Sequence, residues 1–263
     1  MARYNIGRPR RPSHSTKNPS RISQNSQLPI GAFLLVFCGP MSAAPPIENN
    51  PNKTAHFLST KDLSGQEIKR LLKIAGAFAP YVKRNENVPI LKDKTIVNLF
   101  LENSTRTRVS FELAARKLSA SVLNFAASSS SLDKGESLTD TALNIQAMGP
   151  HCMVVRHASA GSPYRLSKIL KIPVINAGDG FHEHPTQALL DIYTIEEKLT
   201  SLKDKNVVII GDIAHSRVAR SNIFAMKTLG AKVSVCGPPT LLPPDPSSLG
   251  VNYAYRPEAL LPQ

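Results

Sequence analysis

The chain has 263 residues, 41% of them hydrophobic, enough to bury a sizeable core and to hold two domains. Three cysteines, Cys38, Cys152 and Cys236, are far apart and odd in number; they argue against a disulfide framework and a zinc cluster and point to a reducing, cytoplasmic compartment. The formal charge of +13 invites a nucleic-acid partner, yet residues 1–40 hold six basic and no acidic residues, and without them 26 basic face 19 acidic residues, or +7. With no Trp and no aromatic interleaving, that remainder suits an anionic small substrate and excludes nucleic acid.

Residues 1–50 read as a disordered basic extension, rich in Pro, Ser, Asn and Arg. Their apolar run at 28–38 is too short to span a membrane. Followed by Ser42-Ala43-Ala44 it imitates a secretory signal or a transit peptide, whereas Met41 offers an alternative start. From Asp62 the pattern turns regular: Leu63, Ile68, Leu71, Leu72, Ile74 and Ala75 predict an amphipathic helix to about Tyr81.

A buried strand at 94–101, a helix carrying Phe111, Ala114, Ala115 and Leu118, and a strand at 121–125 come next. They precede a helix at 137–148, a strand at 152–155, a helix at about 165–170, a strand at 173–175 and a helix at 185–199. A second series runs from a strand at 205–210 through a helix near 216–229, a strand at 232–236 and a strand-like stretch at 251–255. This alternation predicts an α/β fold of two domains, each a parallel sheet with helices on both faces, hinged near residue 200. Ligands of such sheets bind beyond the carboxyl ends of the strands.

One such end carries Glu102-Asn103-Ser104-Thr105-Arg106-Thr107-Arg108. Ser104 or Thr105 falls at a helix N-cap, where free backbone N–H groups and the helix dipole favour an anion, and Arg106 can add a bidentate fork. Two arginines two residues apart point to different sides of a helix, so Arg106 is assigned to the anion and Arg108 to a structural ion pair.

The Ser-Thr-Arg-Thr-Arg run resembles the signature of the aspartate and ornithine carbamoyltransferases. The resemblance continues in the same order through Asp133-Lys134-Gly135-Glu136-Ser137, Val155-Arg156-His157, Asn176-Ala177-Gly178-Asp179-Gly180, the run from His184 to Asp191, and Gly211 to Ser221. It covers roughly residues 55–261. It implies a carbamoyl phosphate-binding domain at 51–200 and an aspartate-binding domain at 201–263. The implied reaction is attack by the α-amino group of L-aspartate on carbamoyl phosphate, giving N-carbamoyl-L-aspartate and phosphate in pyrimidine biosynthesis, with no metal and no cofactor.

By the family pattern Ser104, Thr105, Arg106 and Thr107 cradle the phosphate, with Thr107 also near the carbonyl oxygen. Arg156 bridges phosphate and carbonyl, His184 donates to the carbonyl oxygen, and Gln187 reads the carbamoyl NH₂. Arg106, Thr107, Arg156 and His184 are the expected catalytic residues. Spacing agrees, since His184 and Gln187 lie three apart across a helix start with Pro185 at its first position. His151, His157 and His215 read as packing or surface residues. Ser131 and Lys134 are expected to enter the neighbouring subunit's site, which implies an obligate homotrimer with shared sites; a regulatory or dihydroorotase-like chain is a further candidate partner.

Lys134 and Arg217 would hold the aspartate carboxylates, and the His-Ser-Arg-Val-Ala-Arg-Ser form resembles the aspartate branch. Ornithine or another amine is the alternative acceptor. Past the position of Gln263 the family adds an aspartate-binding loop, a His-Pro-Leu-Pro segment and terminal helices. The expectation is therefore a truncated second domain in a fragment or frameshifted product of an active enzyme, with an inactive phosphate-binding relative as the alternative.

Overall fold

A computed structural model describes residues 56–126 and 136–260, together with the backbone of Arg3 and Tyr4. The extension at 1–50, Met41 and the Ser131–Lys134 loop lie outside the described residues, apart from Arg3–Tyr4 (β1). The other elements are α1 (Gly65–Lys83), β2 (Thr95–Phe100), α2 (Thr105–Lys117), β3 (Ser121–Ala126), α3 (Leu138–Ala147), β4 (Cys152–His157), α4 (Ser162–Ile169) and β5 (Val174–Asp179). They continue with α5 (Pro185–Leu199), β6 (Asn206–Ile210), α6 (Arg217–Thr228), β7 (Lys232–Cys236) and β8 (Asn252–Ala254).

The first sheet has the order β3-β2-β4-β5 and is parallel throughout. Alternation along its central strand divides the interior. Val97 and Leu99 join Ala142 and Ile145 of α3 and Leu166 of α4 on one face. Ile96 and Phe100 join residues of α1, α2 and α5 on the other. Period-two burial with a helix layer on each side is what a buried parallel strand requires.

The second sheet, β1-β6-β7-β8, is parallel from β6 to β8, but β1 adds an antiparallel edge that the βα pattern did not predict. Its Ile209, Val233 and Val235 enter the larger core with Ile223 and Met226 of α6, while Val208 and Ile210 on the opposite face are half-buried. That core is continuous from α1 and α5 into α6, so the two sheets share packed side chains.

Local signals explain several boundaries. Ser64 and Glu67 form a reciprocal capping box that starts α1. Gly161, at φ 79, caps α4, and Pro163 occupies its first turn; this start three residues earlier than expected was signalled by that Gly-x-Pro spacing. Strand β5 runs four residues beyond the expected Ile175, because pairing with β4 up to His157↔Asp179 overrides the poor strand propensity of Asn176, Gly178 and Asp179.

Candidate active site

The carboxyl ends of β2, β4 and β5 and the start of α6 converge on one carboxylate. Glu102, just past β2, accepts from Arg156 Nη2 at 2.8 Å and from Arg217 through Nη1 at 2.8 Å and Nη2 at 2.5 Å. Burial works to raise the Glu102 pKa, but hydrogen bonds from Arg217 and Arg156 outweigh it and hold the carboxylate below its usual range. Burial first, and then the Arg217 charge, lower the pKa of Arg156. Two guanidiniums against one carboxylate leave a positive excess in a shielded place, where a further anion is favoured.

Gly178 makes room for this arrangement. Its φ is +115, and a Cβ there would meet Arg217 Nη1 at 3.3 Å and Arg156 Nη1 at 3.4 Å. Arg156 Nη1 also donates to Thr107 Oγ1 and to the Ala177 carbonyl, each at 3.3 Å. The first turn of α2 is thereby joined to β4 and β5.

Ser104 is the N-cap of α2, in extended backbone, and its side chain makes no capping bond. The helix thus begins with its first N–H groups uncapped by that hydroxyl, as an anion site requires. Arg106 is exposed in the same turn. Arg108, expected in an ion pair, forms none among the described residues; the nearby Glu112 pairs one turn on with Arg116 at 2.9 Å.

His184 is the N-cap of α5 and is only 5% exposed. Burial lowers its pKa to about 3, with Arg156 and Arg217 adding in the same direction. The ring is therefore neutral at physiological pH. The Thr186 hydroxyl lies 3.3 Å from Nδ1, and a neutral imidazole keeps one N–H donor and one acceptor nitrogen whichever of them carries the proton.

Two carboxylates fix the loop that leads to His184. Asp179 accepts from Asn176 Nδ2 at 2.9 Å, from Gly161 N at 2.7 Å and from Glu183 N at 3.1 Å, and it pairs with His182. Buried Glu183 accepts from Thr60 N and from the Thr60 and Ser221 hydroxyls, each at 2.9 Å, and from the Ser59 hydroxyl. Ser221 Oγ in turn accepts the His184 N–H at 2.9 Å, so helix α6 takes part in holding the histidine.

The structure thus gathers Thr107, Arg156, His184 and Arg217 around Glu102, with Ser104, Thr105 and Arg106 on the adjoining helix start. Gln187 lies in the first turn of α5, its amide donating to Asp191 at 3.0 Å. Ser131 and Lys134 lie outside the described residues. Of the remaining histidines, His151 accepts from Thr95 N, His157 from Ser159 N, and exposed His215 pairs with Asp212 and meets Phe181 edge to face at 5.1 Å. Sequence reasoning gave no role to Glu102, Glu183 or Asp191; the one available signal was an acid adjoining each basic or His motif.

Residues 55–197 match the family described as "Aspartate/ornithine carbamoyltransferase, carbamoyl-P binding domain". The chain belongs to the aspartate/ornithine carbamoyltransferase family. Within that family it is similar to the aspartate carbamoyltransferase catalytic subunit of Opitutus terrae, 56% identical over 201 residues that make up 76% of this chain and 64% of the relative. The chain therefore spans just under two thirds of that relative's length.

Its fold resembles that of Trypanosoma cruzi aspartate transcarbamoylase in complex with carbamoyl phosphate and aspartate, with TM-score 0.70 and 30% identity, covering 80% of this chain and 68% of the other. It also resembles ornithine carbamoyltransferase from Pyrococcus furiosus, with TM-score 0.67 and 31% identity, covering 76% and 66%.

Replacing Glu102 by Gln leaves two guanidiniums facing each other without a counter-charge. At side-chain exposures of 11% for Arg156, 18% for Arg217 and 25% for Glu102, the loss is set at about 2 kcal/mol, below that for a fully buried pair. Urea denaturation at neutral pH measures it, and a loss under about 0.5 kcal/mol would contradict the central role of this carboxylate.

A second prediction concerns acid. The unfolded His184 ring protonates near 6.5 and the folded ring only near 3, so the unfolded chain binds more protons between these values. The stability associated with neutral His184 is complete above about 6.5 and is lost as pH falls, by up to about 1.4 kcal/mol per pH unit. The His184→Gln chain should show a flatter decline over that window in denaturant titrations at several pH values.

Proposed function

We propose that this chain transfers the carbamoyl group of carbamoyl phosphate to the α-amino group of L-aspartate, giving N-carbamoyl-L-aspartate and phosphate, in cytoplasmic pyrimidine biosynthesis. The observation that carries the reading is the Arg156–Glu102–Arg217 cluster set beside the uncapped start of α2 and a neutral His184. It supplies cations for a phosphate and a carboxylate, and a neutral donor for a carbonyl oxygen. Among the described residues, no helix is long and apolar enough to cross a membrane.

In this mechanism the backbone N–H groups at the start of α2, with Ser104, Thr105 and Arg106, take the phosphate oxygens. Thr107, Arg156 and His184 donate to the carbonyl oxygen. The aspartate amine, having lost a proton, forms the new C–N bond, and negative charge grows on the carbonyl oxygen of the tetrahedral state. Preorganised donors stabilise that charge without reorganising. Collapse breaks the bond from carbon to the bridging oxygen, the phosphate leaves with both electrons, and the surplus proton on the attacking nitrogen passes to that phosphate. A His184 held neutral is a better donor for a carbonyl than a proton source for the leaving phosphate. Arg217 and Lys134 hold the carboxylates of aspartate, so binding orients the amine towards the carbon.

The same reading includes a homotrimer in which Ser131 and Lys134 serve a neighbouring site. Exposed apolar Val109 and Leu113 on α2 and Leu123 on the edge strand β3 supply surface suited to contact between copies.

Colorimetric detection of carbamoyl-aspartate from the full chain tests the reaction. Product with L-aspartate and none with L-ornithine is expected. Ornithine-dependent product would reassign the acceptor, and phosphate binding without turnover would favour a non-catalytic relative. Mixing Lys134→Ala with Arg106→Ala chains should restore activity through hybrid sites, and assembled mixed trimers without recovery would refute the shared site.

A further inference from the structure

Asp191 stands between two side chains with different tasks. Gln187 and Asp191 are four apart on α5 and share one face of the helix. Gln187 Nε2 donates to Asp191 Oδ1 at 3.0 Å, and Asn222 Nδ2 of α6 donates to Asp191 Oδ2 at 2.7 Å. Asn222 is fully buried and lies five residues beyond Arg217 on the same helix. Both oxygens of the carboxylate are thus engaged by amide NH₂ groups.

An ionised carboxylate only accepts hydrogen bonds, whereas a glutamine amide has one accepting and one donating end. Turning the Gln187 amide around would set its oxygen against Asp191 Oδ1. The arrangement therefore holds the NH₂ on Asp191 and leaves the amide oxygen as the end turned away from that carboxylate, on a residue in the first turn of the helix that His184 caps. An acceptor held there suits a ligand that presents N–H and cannot satisfy one that presents a methyl group.

We infer that Asp191 is a positioning residue that fixes which end of the Gln187 amide faces the acyl group, and thereby selects an NH₂-bearing acyl phosphate over its alkyl counterpart. This rests on the proposed carbamoyl phosphate site and assigns its discrimination to a residue that does not touch the ligand. Sites that read a substrate N–H reject an analogue lacking it because a buried polar group is left unpaired.

Asp191→Asn provides the decisive change. If Asn222 keeps donating, the new amide accepts from it through oxygen and turns its NH₂ towards Gln187. Gln187 then reverses and presents its own NH₂ to the ligand.

The test is calorimetric titration of the full chain with phosphonoacetamide, acetonylphosphonate and inorganic phosphate. The first two probes differ only in NH₂ against CH₃. The parent chain should prefer phosphonoacetamide, and Asp191→Asn should lose about tenfold of that preference while binding phosphate within about twofold of the parent. If Asp191→Asn gives no cooperative melt, Asp191→Glu, which displaces the carboxylate by one methylene, should show the same loss. A folded variant with unchanged preference overturns the inference, as does a parallel fall in phosphate affinity, which would mark a merely structural role. A parent chain that binds none of the three refutes the underlying site as well.

Discussion

The Glu102 carboxylate is the constraint on which the rest of the site depends. Two guanidiniums, Arg156 at the end of strand β4 and Arg217 at the start of helix α6, could not lie beside Gly178 without a shared counter-charge. With Glu102 between them, each is partly neutralised and the cluster keeps a net positive charge. Arg156 then reaches Thr107, and its charge together with that of Arg217 helps to keep His184 deprotonated. One carboxylate therefore bears on the position of the first turn of α2, the protonation of the imidazole and the contact between the two sheets.

Helix α6 has an unexpectedly wide part in this. Its first residue supplies Arg217, Ser221 accepts the His184 backbone N–H and donates to Glu183, and Asn222 reaches Asp191. The Arg217 contact ends on Glu102 past β2, and the others end on the loop at the close of β5 or on helix α5. The groups assigned to the acyl phosphate are thus held partly by the helix assigned to the acceptor, and the continuous core beneath them gives that helix a fixed seat. Packed interiors deform little, so a shift of α6 would be felt at His184 and Gln187.

Ionisation in the pocket follows from burial more than from any single pair. Desolvation is the largest influence on Glu102, Arg156 and His184, and in each it opposes the charged form. The carboxylate stays charged because it receives several charged hydrogen bonds. The histidine has cations for neighbours and stays neutral. Opposite outcomes from the same burial give the site its fixed charges and its uncharged donor.

Much of this was legible in the sequence. Hydrophobic alternation and helical spacing located the strands and helices of both series, and the Ser104–Arg108, Arg156, His184–Gln187 and Arg217 motifs marked strand ends and helix starts, because those patterns are local. The sequence could not supply the partners. Glu102 and Arg217 are 115 positions apart, and Thr60 and Glu183 are 123 apart, so nothing in either neighbourhood shows that they meet. Arg108, given an ion pair on local grounds, has none among the described residues, while Asp191, passed over inside a motif, joins two helices. The sequence by itself determined the elements, their order and the types of group at each strand end. Only the tertiary structure decided which charges face one another and which rings are dry, since both depend on the sheets bringing distant residues together out of water.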